Sequence, residues 1–219
     1  MDRKEKKLKE CIQRFEYDKS LRQQYGIICG IDEAGRGPWI GSVYAAAVIF
    51  NDSAFIENLD DSKKLSEEKR EALYDEITEK AVSYSVACAT VEEINSLNIL
   101  QATFLAMKRA SEGLSLPPNL ALVDGNRLPD IGVKAETVVK GDGISASIAA
   151  ASILAKVTRD RYMRELDKKY PEFNFAANKG YGTPQHIEAL KKYGYTPEHR
   201  QLFLRNIISE TGGLKEYGK

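Results

Sequence analysis

The chain has 219 residues, of which 42% are hydrophobic and 29% charged, and its 32 basic and 32 acidic side chains give a formal net charge of zero. This suits one soluble globular domain that can bury a core without disulfide or metal staples, and 16 glycines and 7 prolines exclude collagen-like and low-complexity chains. The longest apolar run, Val43 to Phe50, is too short to span a membrane, and residues 1–25 are charge-dense where a secretory leader would be apolar, so a cytoplasmic protein away from membranes is expected.

Residues 3–24 read as an amphipathic helix, with Leu8, Cys11, Ile12, Phe15 and Leu21 near helical spacing among charges. Residues 1–25 are expected to form an appendage docked on a domain that spans 26–219. Residues 26–34 and 42–50, rich in Ile, Val and Ala, predict two strands joined by the turn-like Gly35-Arg36-Gly37-Pro38. Ser66 is the cap expected for a helix over about 67–80, with Glu67 and Glu68 suited to its first turn. A third strand is expected over 81–91, then a helix over about 98–111 with Leu100, Phe104, Leu105 and Met107 on its core face. After the Pro117-Pro118 break come short strands at 120–123 and 137–140, a long helix from about 145 to 169, and helical pieces near 184–193 and 199–208. This order predicts a mixed α/β domain built on one central sheet and ending in helices.

Three separated cysteines, Cys11, Cys29 and Cys88, argue for reduced thiols and against a disulfide framework or a zinc knuckle. With only His186 and His199 available, a zinc motif of the H-E-x-x-H type is impossible and the usual general base is scarce. Chemistry therefore falls to carboxylates. Charge is also uneven: the balance is +3 over residues 1–25, −8 over 26–155 and +5 over 156–219. A cation-holding cleft with a phosphate-gripping rim would produce this pattern, as would uneven decoration of a solvated surface.

Asp32 and Glu33 lie inside an apolar strand, Asp124 closes another, and Asp142 follows a third at the start of the long helix. Acids in such places need compensation for lost hydration. If these strand ends are neighbours, four carboxylates meet with too few bases to pair them, and hard divalent cations resolve the conflict; oxygen ligands without His or Cys suit Mg²⁺ or Mn²⁺. Two such ions make a phosphoryl-transfer arrangement. The alternative is that each acid caps its own turn. Gly35 and Gly37 permit close backbone approach to a ligand, and Arg36 between them can fork onto a phosphate, although a tight turn also explains the glycines. Lys63 and Lys64 read as phosphate grips or as solvated lysines ahead of a helix. The Ser- and Ala-rich face from Ser145 to Ala155 reads as close packing on the sheet. Gly141 to Ala146 fits a dinucleotide fingerprint only weakly, since it comes late and places Asp142 toward a pyrophosphate; P-loop and G-x-S-x-G runs are absent.

Residues 30–38 (GIDEAGRGP), 61–66 (DSKKLS), 123–125 (VDG), 140–142 (KGD) and 147–160 (SIAAASILAKVTRD) together resemble bacterial ribonuclease HII, the type 2 ribonuclease H family. Residues 178–183 (NKGYGT) and 196–200 (TPEHR) are similar to its C-terminal signatures, so the likeness runs from about 26 to 205. It implies a ribonuclease H-like fold, a mixed central sheet flanked by helices with a C-terminal helical region. It also implies an endonuclease that cuts the RNA strand of RNA–DNA hybrids and incises 5′ of single ribonucleotides in duplex DNA, leaving 5′-phosphate and 3′-hydroxyl ends. By this resemblance Asp32, Glu33, Asp124 and Asp142 hold two Mg²⁺ or Mn²⁺ ions, residues Gly35, Arg36 and Gly37 read the 2′-hydroxyl, and Tyr181 stacks on the following sugar. The 2′-hydroxyl is the one group that separates RNA from DNA at a given site. A monomer is expected. Trp39, Ser42 and residues 199–203 (HRQLF) depart from the family pattern, outside the acids and the glycine loop. Rival readings are another nuclease or strand-transferase on this fold, or a non-catalytic hybrid-binding module.

Overall fold

Strands that are apolar on both faces require a helical layer on each side. The computed structural model, which describes residues 2–211 and 213–218, supplies both layers. Helix α1 (Arg3–Tyr25) leads into strands β1 (Ile28–Ala34) and β2 (Val43–Ile49), followed by α2 (Glu67–Lys80), β3 (Ser83–Ala89), α3 (Val91–Leu97) and α4 (Ile99–Glu112). Then come β4 (Leu120–Asp124), β5 (Ala135–Val138), α5 (Ala146–Lys169), α6 (Phe175–Asn178), α7 (Pro184–Tyr193) and α8 (Gln201–Thr211). The five strands lie in the order β3-β2-β1-β4-β5; β1, β2 and β3 are antiparallel neighbours, while β4 runs parallel to β1 and to β5. The mixed sheet expected from the sequence is thus the one observed.

Alternation in β2 decides which helix covers which face. Ala46 and Val48 join the core formed with α1, α2 and α5, whereas Val43, Ala45, Ala47 and Ile49 join the core beneath α4. Helix α5 lies directly on β1, where a side chain at Gly30 would overlap the backbone of Ser147 and Ile148. Its small face is close packing: every residue from Ala146 to Ala155 is buried. The N-terminal helix enters the same core through Cys11 and Phe15. Fully buried Asp18 on α1 accepts from the Ser147 amide at 2.8 Å and hydroxyl at 2.7 Å at the N-terminus of α5, bonds that oppose the upward push of burial on its carboxyl.

Three expectations shift. The buried face of α4 is Ala102, Thr103, Ala106, Met107, Ala110 and Ser111, while Leu100, Phe104 and Leu105 are only partly covered, because the alanine-rich strand β2 lets the helix come close only through small residues. The seven-residue α3 escapes periodicity analysis by its length, although Thr90 and Glu93 form a reciprocal capping box at its start. Strand β5 begins and ends two residues earlier than expected, and Lys140 beyond it has a φ of 57°, which takes the chain out of extended geometry.

The close crossing at Gly30 sets a test. Gly30→Ala should lower the unfolding free energy by about 3 kcal/mol, since the added methyl meets helix backbone that cannot rotate away. Urea titration measures this, and an unchanged midpoint would contradict the packing described.

Candidate active site

Register brings the first two acids together. In the parallel pair Ile31 is opposite Val123, so the next residue on each strand, Asp32 and Asp124, lies at the same level of the sheet. Asp32 is almost completely buried on the α5 side, and Glu33, one residue on, lines the cleft on the α4 side. Asp142 comes from the 3-10 turn at residues 141–143 that precedes α5, and the Gly141 amide of that turn donates to Asp124 Oδ1 at 2.6 Å.

The electrostatics record the crowding. Burial pushes the Asp32 carboxyl well above its ordinary range, with the charges of Glu33 and Asp124 adding to it; bonds from Ser152 and the Glu33 amide oppose the shift. Glu33 is raised by burial and by Asp124, against Arg36, whose guanidinium lies 3.2 Å from its Oε1. Asp142 is raised by burial and by Asp61 and Asp124. Burial lowers the Lys63 ammonium, but the fields of Asp32, Asp61, Asp142 and Asp124 outweigh it and the net shift is upward. Five carboxylates therefore share one field with Lys63 and Arg36, a deficit of positive charge built from hard oxygen donors. That donor set fits divalent Mg²⁺ or Mn²⁺. Among the described residues no three acidic, histidine or cysteine side chains are gathered at single-ion ligand spacing. Repulsion and separate partners explain the spread: Arg36 holds Glu33, the Gly141 amide holds Asp124, and Asp61 bonds Asp142.

Beside the acids a cleft of about 500 Å³ is lined by Asp32, Glu33, residues 35–37, Lys63, Arg159 and Tyr181. Gly35 has a φ of 96°, and a side chain there would run into the buried Arg159 guanidinium. A Cβ on Gly37 would sit 3.3 Å from the Tyr181 ring, so the half-exposed tyrosine packs beside the loop and both line the cleft. Sequence separation hid this juxtaposition, and the structure brings all eight candidate residues to one end of the sheet. A second hollow of about 340 Å³ opens on the other side of Glu33 and Asp124.

The Tyr181 backbone rests on a buried histidine pair. Thr196 donates its amide to His199 Nδ1 at 2.9 Å, so that nitrogen accepts and the proton sits on Nε2. Nε2 then donates across 3.0 Å to His186 Nε2, which leaves His186 Nδ1 to donate to the Tyr181 carbonyl at 2.9 Å. Both rings are neutral in this chain. Burial depresses each, His199 to about 3 with the neighbouring His186 contributing. Trp39, one of the departures from the family pattern, packs on Gly182 and lies 5.7 Å from the His186 ring. The sequence offers no spacing signal for the histidine pair and none for Asp61 as a site residue, while Lys63 is readable as a phosphate grip or, more commonly, as a solvated lysine.

A profile of the Ribonuclease HII family matches residues 29–206. The chain is 58% identical over 178 residues, 81% of its length, to Ribonuclease HII of Albidiferax ferrireducens, of which 86% is covered. Among solved structures it is similar to ribonuclease H2 from Pyrococcus horikoshii OT3, with a TM-score of 0.71 and 29% identity over 85% of this chain and 99% of the other. Bst-RNase HIII in complex with Mn²⁺ shares the fold at a TM-score of 0.65 and 18% identity, covering 86% of this chain and 66% of the other.

Two outcomes follow from these charges. The folded-state pKa of Asp32 lies above its unfolded value of 3.8, so its contribution to stability is intact below that value and is lost as pH rises through the folded pKa. At neutral pH with chelator, Asp32→Asn should melt higher than the parent chain, and Mn²⁺ should raise the parent's Tm more than the variant's; equal responses in a thermal-shift assay would contradict the crowding. The histidines have the opposite sign. Their stabilisation is full above the unfolded value of 6.5 and is lost as pH falls below it, toward about 3 for His199 at roughly 1.4 kcal/mol per pH unit, with His186 adding in the same direction. Trp39 fluorescence during acid titration should report loosening in that window.

Proposed function

The chain belongs to the ribonuclease HII family and is a metal-dependent endoribonuclease acting on RNA–DNA hybrids, and on that premise we propose that it also incises duplex DNA 5′ of a single embedded ribonucleotide. In this reading Asp32, Glu33, Asp124 and Asp142 hold two Mg²⁺ or Mn²⁺ ions, and the products carry 5′-phosphate and 3′-hydroxyl ends. The carrying observation is the shared field of those carboxylates beside the glycine loop and Tyr181.

When bound, the ions supply Lewis-acid charge and make water a competent nucleophile at neutral pH, so no histidine base is needed. The buried histidines support this division of labour, since His186 is occupied in holding the Tyr181 carbonyl and His199 in holding His186. The chain's own residues bind and orient. Burial and the charges of Glu33 and Asp124 raise the Asp32 pKa, a repulsion that bound cations would relieve. Arg36 is within reach of both Glu33 and the cleft, so in this proposal it trades its ion pair for a backbone phosphate as Glu33 turns to a cation. Lys63 adds positive charge on the same side. The loop at 35–37 meets the 2′-hydroxyl, and the exposed ring of Tyr181 stacks on the adjoining sugar, which selects ribose without reading a base. We place the catalytic domain at 26–219 with the helix of 1–25 docked on it, and the enzyme in the cytoplasm as a monomer; no described helix is long and apolar enough to cross a membrane.

Cleavage of a labelled duplex with one ribonucleotide, an RNA–DNA hybrid and an all-DNA duplex tests the proposal. The first two should be cut with Mg²⁺ or Mn²⁺, the third should not, and EDTA should abolish both reactions. Asp124→Asn and Asp142→Asn should each slow cutting by at least about 10²-fold while preserving the fold. Near-parental rates in either variant would remove that acid from the mechanism, and an uncut single-ribonucleotide duplex would reduce the activity to hybrids alone.

A further inference from the structure

Arg200 is a fully buried guanidinium whose polar partners are backbone carbonyls. Its Nε donates to Gly41 O at 2.7 Å, one terminal nitrogen to Pro38 O at 2.7 Å and Arg36 O at 3.1 Å, and the other to Gly35 O at 2.7 Å. Its own amide donates to Trp39 O at 2.8 Å. The ion pairs among the described residues do not include it. Buried charge without a counter-ion is costly unless several dipoles converge on it, and here four carbonyls do, all from residues 35–41. Burial and the charge of Arg159 draw the guanidinium pKa down to about 9.

This arrangement has a geometric consequence across the loop. In a trans peptide the C=O of one residue and the N–H of the next point in opposite directions. With the carbonyls of Gly35 and Arg36 drawn inward to Arg200, the N–H groups of Arg36 and Gly37 point away from it, and both residues line the cleft that holds Asp32 and Tyr181. Neither amide has an acceptor among the described residues. A buried cation on one side of the loop thus aims two free donors out of the other.

We propose that Arg200 is the positioning residue for ribose selection: by gathering the carbonyls of residues 35–41 it holds the Arg36 and Gly37 amides where they meet a 2′-hydroxyl. The inference rests on the function proposed above and extends it to a residue outside the cleft. Lysine cannot substitute, because a single ammonium has three donors radiating from one point whereas the carbonyls are spread around a planar fork.

The full-length chain, Arg200→Lys and Arg200→Gln are compared after circular dichroism and thermal melts. Affinity is measured by fluorescence anisotropy in Ca²⁺ buffer for a duplex with one ribonucleotide and for its all-DNA counterpart. The parental preference for the ribonucleotide should fall by about ten-fold in both variants, with all-DNA affinity unchanged because phosphate contacts supply it. A preference retained in folded Arg200→Lys, or an equal loss for both duplexes, overturns the proposal. Amide NMR on the parental chain gives a test independent of variant folding: Arg36 and Gly37 should shift with the ribonucleotide duplex and not with all-DNA, and equal shifts with both also overturn it. If the parental chain fails to cut the single-ribonucleotide duplex, the proposed function fails; if it cuts and Arg200→Lys discriminates as the parent does, only this inference fails.

Discussion

Everything at this end of the molecule follows from the mutual repulsion of carboxylates that the sheet register places side by side. Pairing Ile31 with Val123 leaves Asp32 and Asp124 level on adjacent parallel strands, and the fold adds Glu33, Asp142 and Asp61 without a matching number of bases. Burial makes each charge harder to hold, so the upward shifts of Asp32, Glu33 and Asp142 are one strain seen from three groups. A site of this kind is stable for other reasons than its own contacts. The alanine-lined crossing of α5 over Gly30 and the alanine-to-alanine packing of β2 against α4 hold the strands in a register that the acids themselves oppose.

The neighbouring recognition surface has the opposite character. There the groups that fix the frame are hidden: Arg200 is enclosed by carbonyls, and His199 and His186 pass one hydrogen-bond direction from Thr196 to the Tyr181 carbonyl. Trp39 ties the two halves together, since its amide donates to Gly180 O at 2.9 Å and its carbonyl accepts from Arg200. A soft electrostatic centre beside a rigid frame suits the proposed task, in which cations and phosphate rearrange while the ribose is judged against a fixed shape.

Much of this was legible in the sequence, for reasons that differ by residue. The four acids stood out because a carboxylate within or just past an apolar strand contradicts burial unless it serves something. Gly35 and Gly37 were visible as permission for close approach, and the structure shows what fills the space behind them, Arg159 on one side and Tyr181 on the other. Asp61 carries no site reading in the sequence, and Lys63 is left between a phosphate grip and a solvated lysine, because a charged pair ahead of a helix looks solvated until the opposing acids are in place. Arg200 and the histidine pair were invisible as such, since burial and carbonyl partners come from tertiary structure and the partners lie 13 and more than 150 residues away. Residue size misled the reading of α4, where proximity to an alanine strand favours Ala102 and Ala106 over Leu100 and Phe104.

The central claim is that the opposed carboxylates form one cation-binding unit. Crystals grown with Mn²⁺ and examined by anomalous diffraction test it most directly. Peaks lying between Asp32, Glu33, Asp124 and Asp142, with the Glu33–Arg36 ion pair opened, are the predicted result. Anomalous density confined to other surface acids, with these four side chains still apart, would contradict it.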